Sequence, residues 1–287
     1  MPSLLQAARK RNVDTAQIQV MAKAFNENIY NAMKHELDTD TLITQVQCFK
    51  DVIDAAGPGL MSAEEVQHLG EKSIDIVTKS LDRIAENNKL PTEEVEDEDD
   101  QLDADDLALI KEENDNEFDL QIAAAELMGV LFKTHRDFVA ALVQRLRSEI
   151  IPQCFSSGET KRLKFALFIL DDLAEHLGPS YFSPEDFQSI VTAICGQCSH
   201  SSAALRQASA YGIGVVAQYS GEAFQAYSDL CLQSLKSTID YAITPKVQAK
   251  KEKVTMYHHA RDNAIASIGK VIKYQNALVQ SNPNYGS

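Results

Sequence analysis

Carboxylates are the side chains of this sequence that offer the clearest chemistry. The 287 residues include 42 Asp and Glu against 27 Lys and Arg, a net charge of −15. Fifteen of the acids lie between Glu93 and Asp119, where Lys111 is the only base, so the rest of the chain is nearly neutral. Such a cluster attracts basic partners in a salt-dependent way, although it is also typical of a solvated loop. The candidate binding acids in it are Glu93, Glu94, Glu96, Asp97, Glu98, Asp99 and Asp100.

Two charged segments are predicted to be insertions between helices. Residues 91–115 begin with the helix-ending Pro91 and contain few apolar side chains, which predicts an acidic, extended and mobile insertion. Residues 244–254 are predicted to be a basic connector. This connector has no interleaved aromatic residues and belongs to a chain with a pI near 4.9. We therefore expect no direct contact with nucleic acid.

Two short motifs could suggest a cofactor. Cys195-Gly-Gln-Cys198 is typical of a thiol redox pair or half a zinc site, but structural zinc needs four ligands and the sequence has no second pair. Buried small residues are the favoured interpretation. Gly212-Ile-Gly214-Val-Val-Ala fits a dinucleotide-binding pattern, but it lies inside a helical stripe where the amides are already bonded, which favours close helix packing. We expect no cofactor, no metal, no catalytic residue and no enzyme activity.

An internal repeat indicates which elements position these residues. Residues 51–66 (DVIDAAGPGLMSAEEV) and 172–187 (DLAEHLGPSYFSPEDF) are similar at an offset of 121, about three units of ~40 residues. In both, Gly-Pro ends a helix and a serine restarts one. The serines have the spacing of capping residues, with an acid three positions later that reaches back. The local unit is therefore a helix, a short turn and a second helix.

Apolar stripes with helical spacing recur along the chain. Helix ends are predicted near Gly57, His135, Gly178, Ser220 and Gln275, at intervals of 78, 43, 42 and 55 residues. The stripes include Leu42, Val46, Phe49 and Ile53; Leu120, Ala124, Leu127 and Leu131; Phe138, Leu142, Leu146 and Ile150; Leu205, Ala208, Val215 and Tyr219; Ala264, Ile268 and Ile272. The prediction is an all-α, HEAT-repeat (armadillo-like), right-handed superhelical solenoid of antiparallel helix pairs, with about five repeats over residues 1–287. No apolar run approaches the ~20 residues of a membrane span.

Four stretches resemble the importin-β (karyopherin-β) family. ALRQASAYGIGVVAQY at 204–219 resembles the second helix of a HEAT repeat. EEVEDEDDQLDADD, FILDDLAEHLGPSYF at 168–182 and NAIASIGKVIKY at 263–274 are similar to that family in order and spacing. The resemblance covers about residues 14–274 and corresponds to the later repeats of much longer proteins.

The resemblance implies a nuclear import receptor that moves between cytoplasm and nucleus. Its concave face would bind basic cargo such as ribosomal proteins or histones, and Ran-GTP would release that cargo. Phenylalanine-glycine nucleoporins would bind the outer face during passage through the pore, and no membrane partner is implied. A static HEAT scaffold of a multi-subunit complex is the alternative, and an acidic chaperone overlaps with the receptor.

The predicted repeats also suggest roles for individual residues. Asp171, Asp172 and Glu175 lie on the second helix of a repeat, the layer that lines the concave face, where they would contact cargo or Ran. The alternative is a solvated face or pairing with Lys161, Arg162 and Lys164. Arg206 matches the arginine of the HEAT pattern and, with Gly212 and Gly214, is expected to stack repeats.

Overall fold

The computed structural model describes Ala7 and residues 14–89, 104–243 and 251–281. Within these ranges every regular element is a helix and there is no strand. No helix in the described ranges has the length and apolar character needed to cross a membrane. The chain divides into two compact units, Met1–Leu146 and Arg147–Ser287.

The first unit is helical in its described residues. In chain order they are α1 (Thr15–Met33), α2 (Thr39–Ala56), α3 (Ala63–Asn87), α4 (Ala104–Thr134), a 3-10 turn (Arg136–Phe138) and α5 (Ala140–Arg145). α3 and α4 are antiparallel, because Ser80 bonds Gln121 and Asn87 bonds Asn114. The first unit therefore contains the helix pairs α1–α2 and α3–α4.

The second unit repeats this organisation. Its helices are α6 (Ile151–Ser157), α7 (Thr160–Asp172), α8 (Pro184–Gly196), α9 (Ala203–Tyr219), α10 (Ser228–Asp240), α11 (Lys251–Tyr274) and α12 (Asn276–Ser281). A π-helical turn, Leu146–Ile150, precedes α6, where Pro152 supplies no amide donor to the preceding turn. A second π-helical turn, Leu173–Leu177, extends α7. α8–α9 and α10–α11 are successive helix pairs.

The predicted helix ends are confirmed at the Gly-Pro and serine positions. Gly57 and Gly178 have φ of 75° and 64°, values that favour glycine and end α2 and the extension of α7. Ser62 and Glu65 form the complete predicted capping box before α3. Ser183 caps α8 through the amide of Asp186 at 3.1 Å. The Asp186 carboxylate, however, pairs with Arg147 instead of reaching back to the cap.

The acidic segment ends inside the core of the first unit. Glu117 on α4 is 5 % exposed and accepts two hydrogen bonds from Arg83 of α3, at 2.6 and 2.8 Å. Thr39 at the start of α2 donates to the same carboxylate at 3.2 Å. A buried carboxylate is tolerated when it is paired in this way. Glu117 therefore joins three helices.

Both predicted insertions are helical where they fall within the described residues. Residues 104–115 form the first turns of α4, so the expectation of an extended chain was wrong there. Residues 91–103 lie outside the described residues. Residues 251–254 of the basic connector form the start of α11, and residues 244–250 lie outside the described residues.

Most residues of the predicted apolar stripes are buried or half-buried, with three exposed exceptions, of which Tyr219 at the end of α9 is 42 % exposed. Phe138 is 43 % exposed because it lies in the 3-10 turn before α5, outside the helix that its spacing predicted. Ile272 is 53 % exposed because α11 directs smaller residues, among them Ala264 and Ser267, toward α9. The prediction of which side of α11 is buried was therefore wrong, since only Ala264 of its predicted stripe is fully buried.

Candidate functional site

α9 and α11, the second helices of two successive pairs, pack closely and in parallel. Asn263 and Ser267 of α11, and Gln275 directly after it, donate side-chain hydrogen bonds to carbonyls of α9, at 3.3, 2.6 and 2.7 Å. A Cβ placed on Gly214 would lie 2.5 Å from Ser267 Oγ, which only a glycine avoids. Gly214 thus allows α9 and α11 to approach each other.

Gly212 likewise allows α9 to approach α7. A Cβ placed there would lie 2.0 Å from Oδ1 of Asp171 and 2.9 Å from the side chain of Ile194. The Asp171 carboxyl group therefore fills the space that the missing side chain leaves. The amides of both glycines lie in the interior of α9, as the helix-packing interpretation predicted.

Asp171 is a buried acid on α7. It is 5 % exposed, and neither carboxyl oxygen has a hydrogen-bond partner among the described residues. Burial raises the pKa of Asp171 well above its usual value, and the carboxylates of Asp172 and Glu175 raise it further, while Lys270 opposes the shift. A buried, unsatisfied carboxyl group is costly, which makes this position a candidate for binding a donor group.

Exposed aromatic and charged side chains surround Asp171. Tyr219 of α9 donates to Glu175 at 3.1 Å and is 42 % exposed. Tyr211 is 49 % exposed and lies under the ammonium group of Lys270, 5.2 Å from its ring centre. Burial and the neighbouring acids Glu175, Asp171 and Asp172 raise the pKa of Tyr211. We call Asp171, Asp172, Glu175, Tyr211 and Tyr219 the α7–α9 face.

Carboxylates beside aromatic rings form a suitable environment for a cation. An ammonium group can pair with the carboxylates and lie over the rings at the same time. Among the bases named as alternative partners, Arg162 pairs with Glu159 at 3.0 Å and Lys164 lies over the ring of Phe168. The candidate acids Glu93, Glu94, Glu96, Asp97, Glu98, Asp99 and Asp100 lie outside the described residues.

Arg206 is a buried cation at the junction of two helix pairs. It is 1 % exposed and donates to the carbonyls of His200 and Ser201, at 2.6 and 3.0 Å. Its guanidinium group lies over the rings of Tyr241 and Tyr257, 3.7 and 4.5 Å from their centres. These contacts join the α8–α9 turn to the next pair, α10–α11.

The first unit has a separate apolar cleft between α1 and α3. It has a volume of about 110 Å³ and is lined by apolar residues that include Phe49, Leu60 and Leu69. Asn26 also lines it, is 6 % exposed, and has no hydrogen-bond partner for either amide atom in the described part of the chain. Sequence reasoning missed this residue. The available signal was its spacing, since Asn26 continues the buried series of Ile18 and Ala22 at steps of four.

No cluster of three or more His, Cys, Asp or Glu side chains with an arrangement suitable for holding a metal occurs in the described ranges. Cys195 and Cys198 are both buried near the end of α8, where small residues were expected.

Comparison with known proteins finds one matching family model and several similar structures. Residues 41–152 match the family model for importin repeat 6. Kap121p bound to the SUMO protease Ulp1p matches with a TM-score of 0.64 and 17 % identity, over 95 % of this chain and 23 % of Kap121p. Kap121p bound to Nup53p matches with a TM-score of 0.66 and 17 % identity, over 96 % of this chain and 23 % of Kap121p.

A third similar structure is a Kap121p mutant in which three acidic residues are replaced by lysine. It matches with a TM-score of 0.67 and 16 % identity, over 95 % of this chain and 23 % of the mutant. This chain therefore spans about a quarter of the length of these neighbours. The matches confirm the predicted all-α HEAT-repeat fold.

Proposed function

We propose that this chain is part of a karyopherin-type nuclear transport receptor and that the α7–α9 face binds basic segments of cargo proteins. The proposal rests chiefly on Asp171, a buried carboxyl group that lacks a partner among the described residues and lies beside exposed tyrosines. The importin-repeat match and the Kap121p-like fold support it. Within the family, we infer that the nearest branch is karyopherin beta-3, also called Ran-binding protein 5.

The chemistry of the face favours a lysine side chain as the group that is bound. Its ammonium group would pair with Glu175 and Asp172, and its methylene groups would lie along Tyr211 and Tyr219. Ran-GTP binding and passage between cytoplasm and nucleus belong to the same proposal. Similar proteins of known structure were solved with Ulp1p, Ste12p and Nup53p, which supports protein segments as the class of partner.

Charge reversal on the α7–α9 face tests the proposal. We expect Glu175→Lys combined with Asp172→Lys to weaken binding of a fluorescent lysine-rich peptide by about tenfold or more, since charge-assisted contacts are lost. Glu222→Lys is the control, because this exposed acid lies in the turn after α9. Fluorescence anisotropy measures both. Equal affinity in the reversed and control variants would contradict the proposal.

A static scaffold is the competing function, and Ran distinguishes the two. For the receptor, Ran-GTP and the basic peptide exclude each other on the full-length parent protein. For a scaffold, adding Ran-GTP leaves peptide binding unchanged. The same anisotropy titration, repeated with Ran-GDP as control, separates these outcomes.

The cleft between α1 and α3 is the proposed position for a nucleoporin phenylalanine. A cavity of order 150 Å³ holds a benzene ring, and this open cleft has a similar size. The Asn26 amide could pair with the N–H and C=O groups of the peptide that carries the ring. We expect Asn26→Leu to stabilise the chain yet weaken a phenylalanine-glycine peptide in an NMR titration. Asn28→Leu, at an exposed position on the same helix, should leave that peptide's binding unchanged.

A further inference from the structure

Two thiols from successive helix pairs face each other in the second unit. Cys195 lies near the end of α8 and Cys231 lies in the first turn of α10. Their sulfur atoms are 3.8 Å apart, although the residues are 36 positions apart in sequence. The side chains are 4 % and 0 % exposed. A disulfide, whose sulfur atoms lie ~2.05 Å apart, requires these two sulfurs to move closer by about 1.8 Å.

The redox pair that the sequence motif suggested, as the less favoured alternative to buried small residues, was a different one. Cys198, the second cysteine of Cys195-Gly-Gln-Cys198, has its sulfur 3.1 Å from the hydroxyl group of Ser209 on α9. The carbonyl of Cys198 accepts a hydrogen bond from Thr238 at 3.0 Å, which also holds this turn against α10. The partner of Cys195 is therefore the distant Cys231.

We propose that Cys195 and Cys231 form a redox-sensitive pair, which hydrogen peroxide converts into a disulfide that ties α8 to α10. The Cys195 thiolate attacks one peroxide oxygen, the O–O bond breaks, and water leaves after taking up a proton. The resulting sulfenic acid is attacked by the sulfur of Cys231, so that an S–S bond forms, the S–O bond breaks and a second water leaves. Two thiols lose two electrons in total, and the peroxide gains them.

The surroundings distinguish the roles of the two thiols. Hydrogen bonds from Cys231 and Ser234 lower the pKa of Cys195 in spite of its burial. The same contact and burial raise the pKa of Cys231. Cys195 is therefore the attacking thiolate, and Cys231 is the thiol that resolves the sulfenic acid. Because both are buried, we expect a small peroxide to react slowly and bulky alkylating reagents to react more slowly still.

A bond at this position would act between helix pairs. α8 and α10 are the first helices of two successive pairs, and α9 lies between them in sequence. A disulfide there closes a loop of 36 residues and removes conformational freedom from the unfolded chain. It would also restrict movement of one pair against the next.

Peptide mapping of the oxidised chain tests the proposal directly. The folded 287-residue protein is treated with hydrogen peroxide, its remaining thiols are blocked, and it is digested without reductant. We expect a Cys195–Cys231 cross-linked peptide that disappears after reduction, and a thermal unfolding midpoint several degrees higher for the oxidised protein. A bond between Cys195 and Cys198, or no cross-link while the chain stays folded, would overturn the proposal.

Substitutions provide matched controls. Cys195→Ser and Cys231→Ser should each abolish the cross-link and the rise in midpoint, whereas Cys154→Ser and Cys198→Ser should retain both. Cys154 is a suitable control because it is equally buried and burial raises its pKa to about 11. Should a serine variant unfold, mapping of the unmodified protein still decides the question.

Discussion

Asp171 makes the stability of the folded protein depend on pH. Because its pKa is raised in the folded protein, folding takes up a proton at this site once the pH exceeds the ~3.9 of an unfolded aspartate. The contribution of protonated Asp171 to the free energy of unfolding is fully present below that pH. It is lost as the pH rises through the pKa of Asp171 in the folded protein. The neighbouring charges are Asp172 on α7, Glu175 in the π-helical turn that extends it and Lys270 on α11, and the neutral hydroxyl group of Tyr211 is also near.

Asp171→Asn isolates this effect, because the amide has the shape of the carboxyl group and does not titrate. We expect the variant to resemble the original protein at pH 4 and to become progressively more stable than it as the pH rises to 7.5. Urea unfolding at each pH measures the difference. A constant difference across this range would mean that Asp171 has an ordinary pKa.

Arg206 contributes to stability through contacts between helix pairs. Arg206→Ala removes two charge-assisted hydrogen bonds to carbonyls and the stacking on two tyrosine rings. We expect a loss of about 3 kcal/mol in the free energy of unfolding, with peptide affinity unchanged at temperatures where the variant is folded. Lys273→Ala, which removes an exposed cation over Tyr274, should cost under about 1 kcal/mol.

At the scale of helices, glycines determine how closely the second helices pack. Gly212→Ala should destabilise the protein by about 1–3 kcal/mol, because the new methyl group overlaps Asp171 and Ile194. Gly269→Ala is the matched control, since this helical glycine has open space around it. There we expect a gain of up to about 1 kcal/mol from helix propensity. Denaturant midpoints compare the two, and equal effects would contradict the packing argument.

Local chemistry explains which helix ends could be predicted from the sequence. Gly57, Gly178, Ser62 and Ser183 determine helix ends through their own backbone and side-chain preferences, so the sequence revealed those ends. The register of α11 was not predictable, because its small residues approach α9 closely and its isoleucines point elsewhere.

The candidate site was predictable only in part, for the same reason. The position of Asp171 on the second helix of a pair followed from periodicity. Its burial depends on Gly212, which is 41 residues away in the chain, and no local pattern encodes that contact. Asn26 and the Cys195–Cys231 pair also depend on contacts between helices.

At the scale of the whole molecule, the acidic segment should control how fast basic partners arrive. Residues 91–103 contain eight carboxylates and no base, roughly half of the net charge of −15. Replacing the eight by the corresponding amides keeps the length of the segment unchanged. We expect the association rate of a lysine-rich peptide to fall by about tenfold at low salt, because long-range attraction is lost.

The salt dependence separates attraction from direct contact. The association rates of both forms should converge near 1 M salt, where the screening length is about 3 Å, and the dissociation rates should agree throughout if the α7–α9 face holds the peptide. Stopped-flow fluorescence measures both rates, and a variant with the same residues in shuffled order is the control. A faster dissociation in the amide variant would instead assign direct contacts to these carboxylates, and identical kinetics would leave the segment as a spacer.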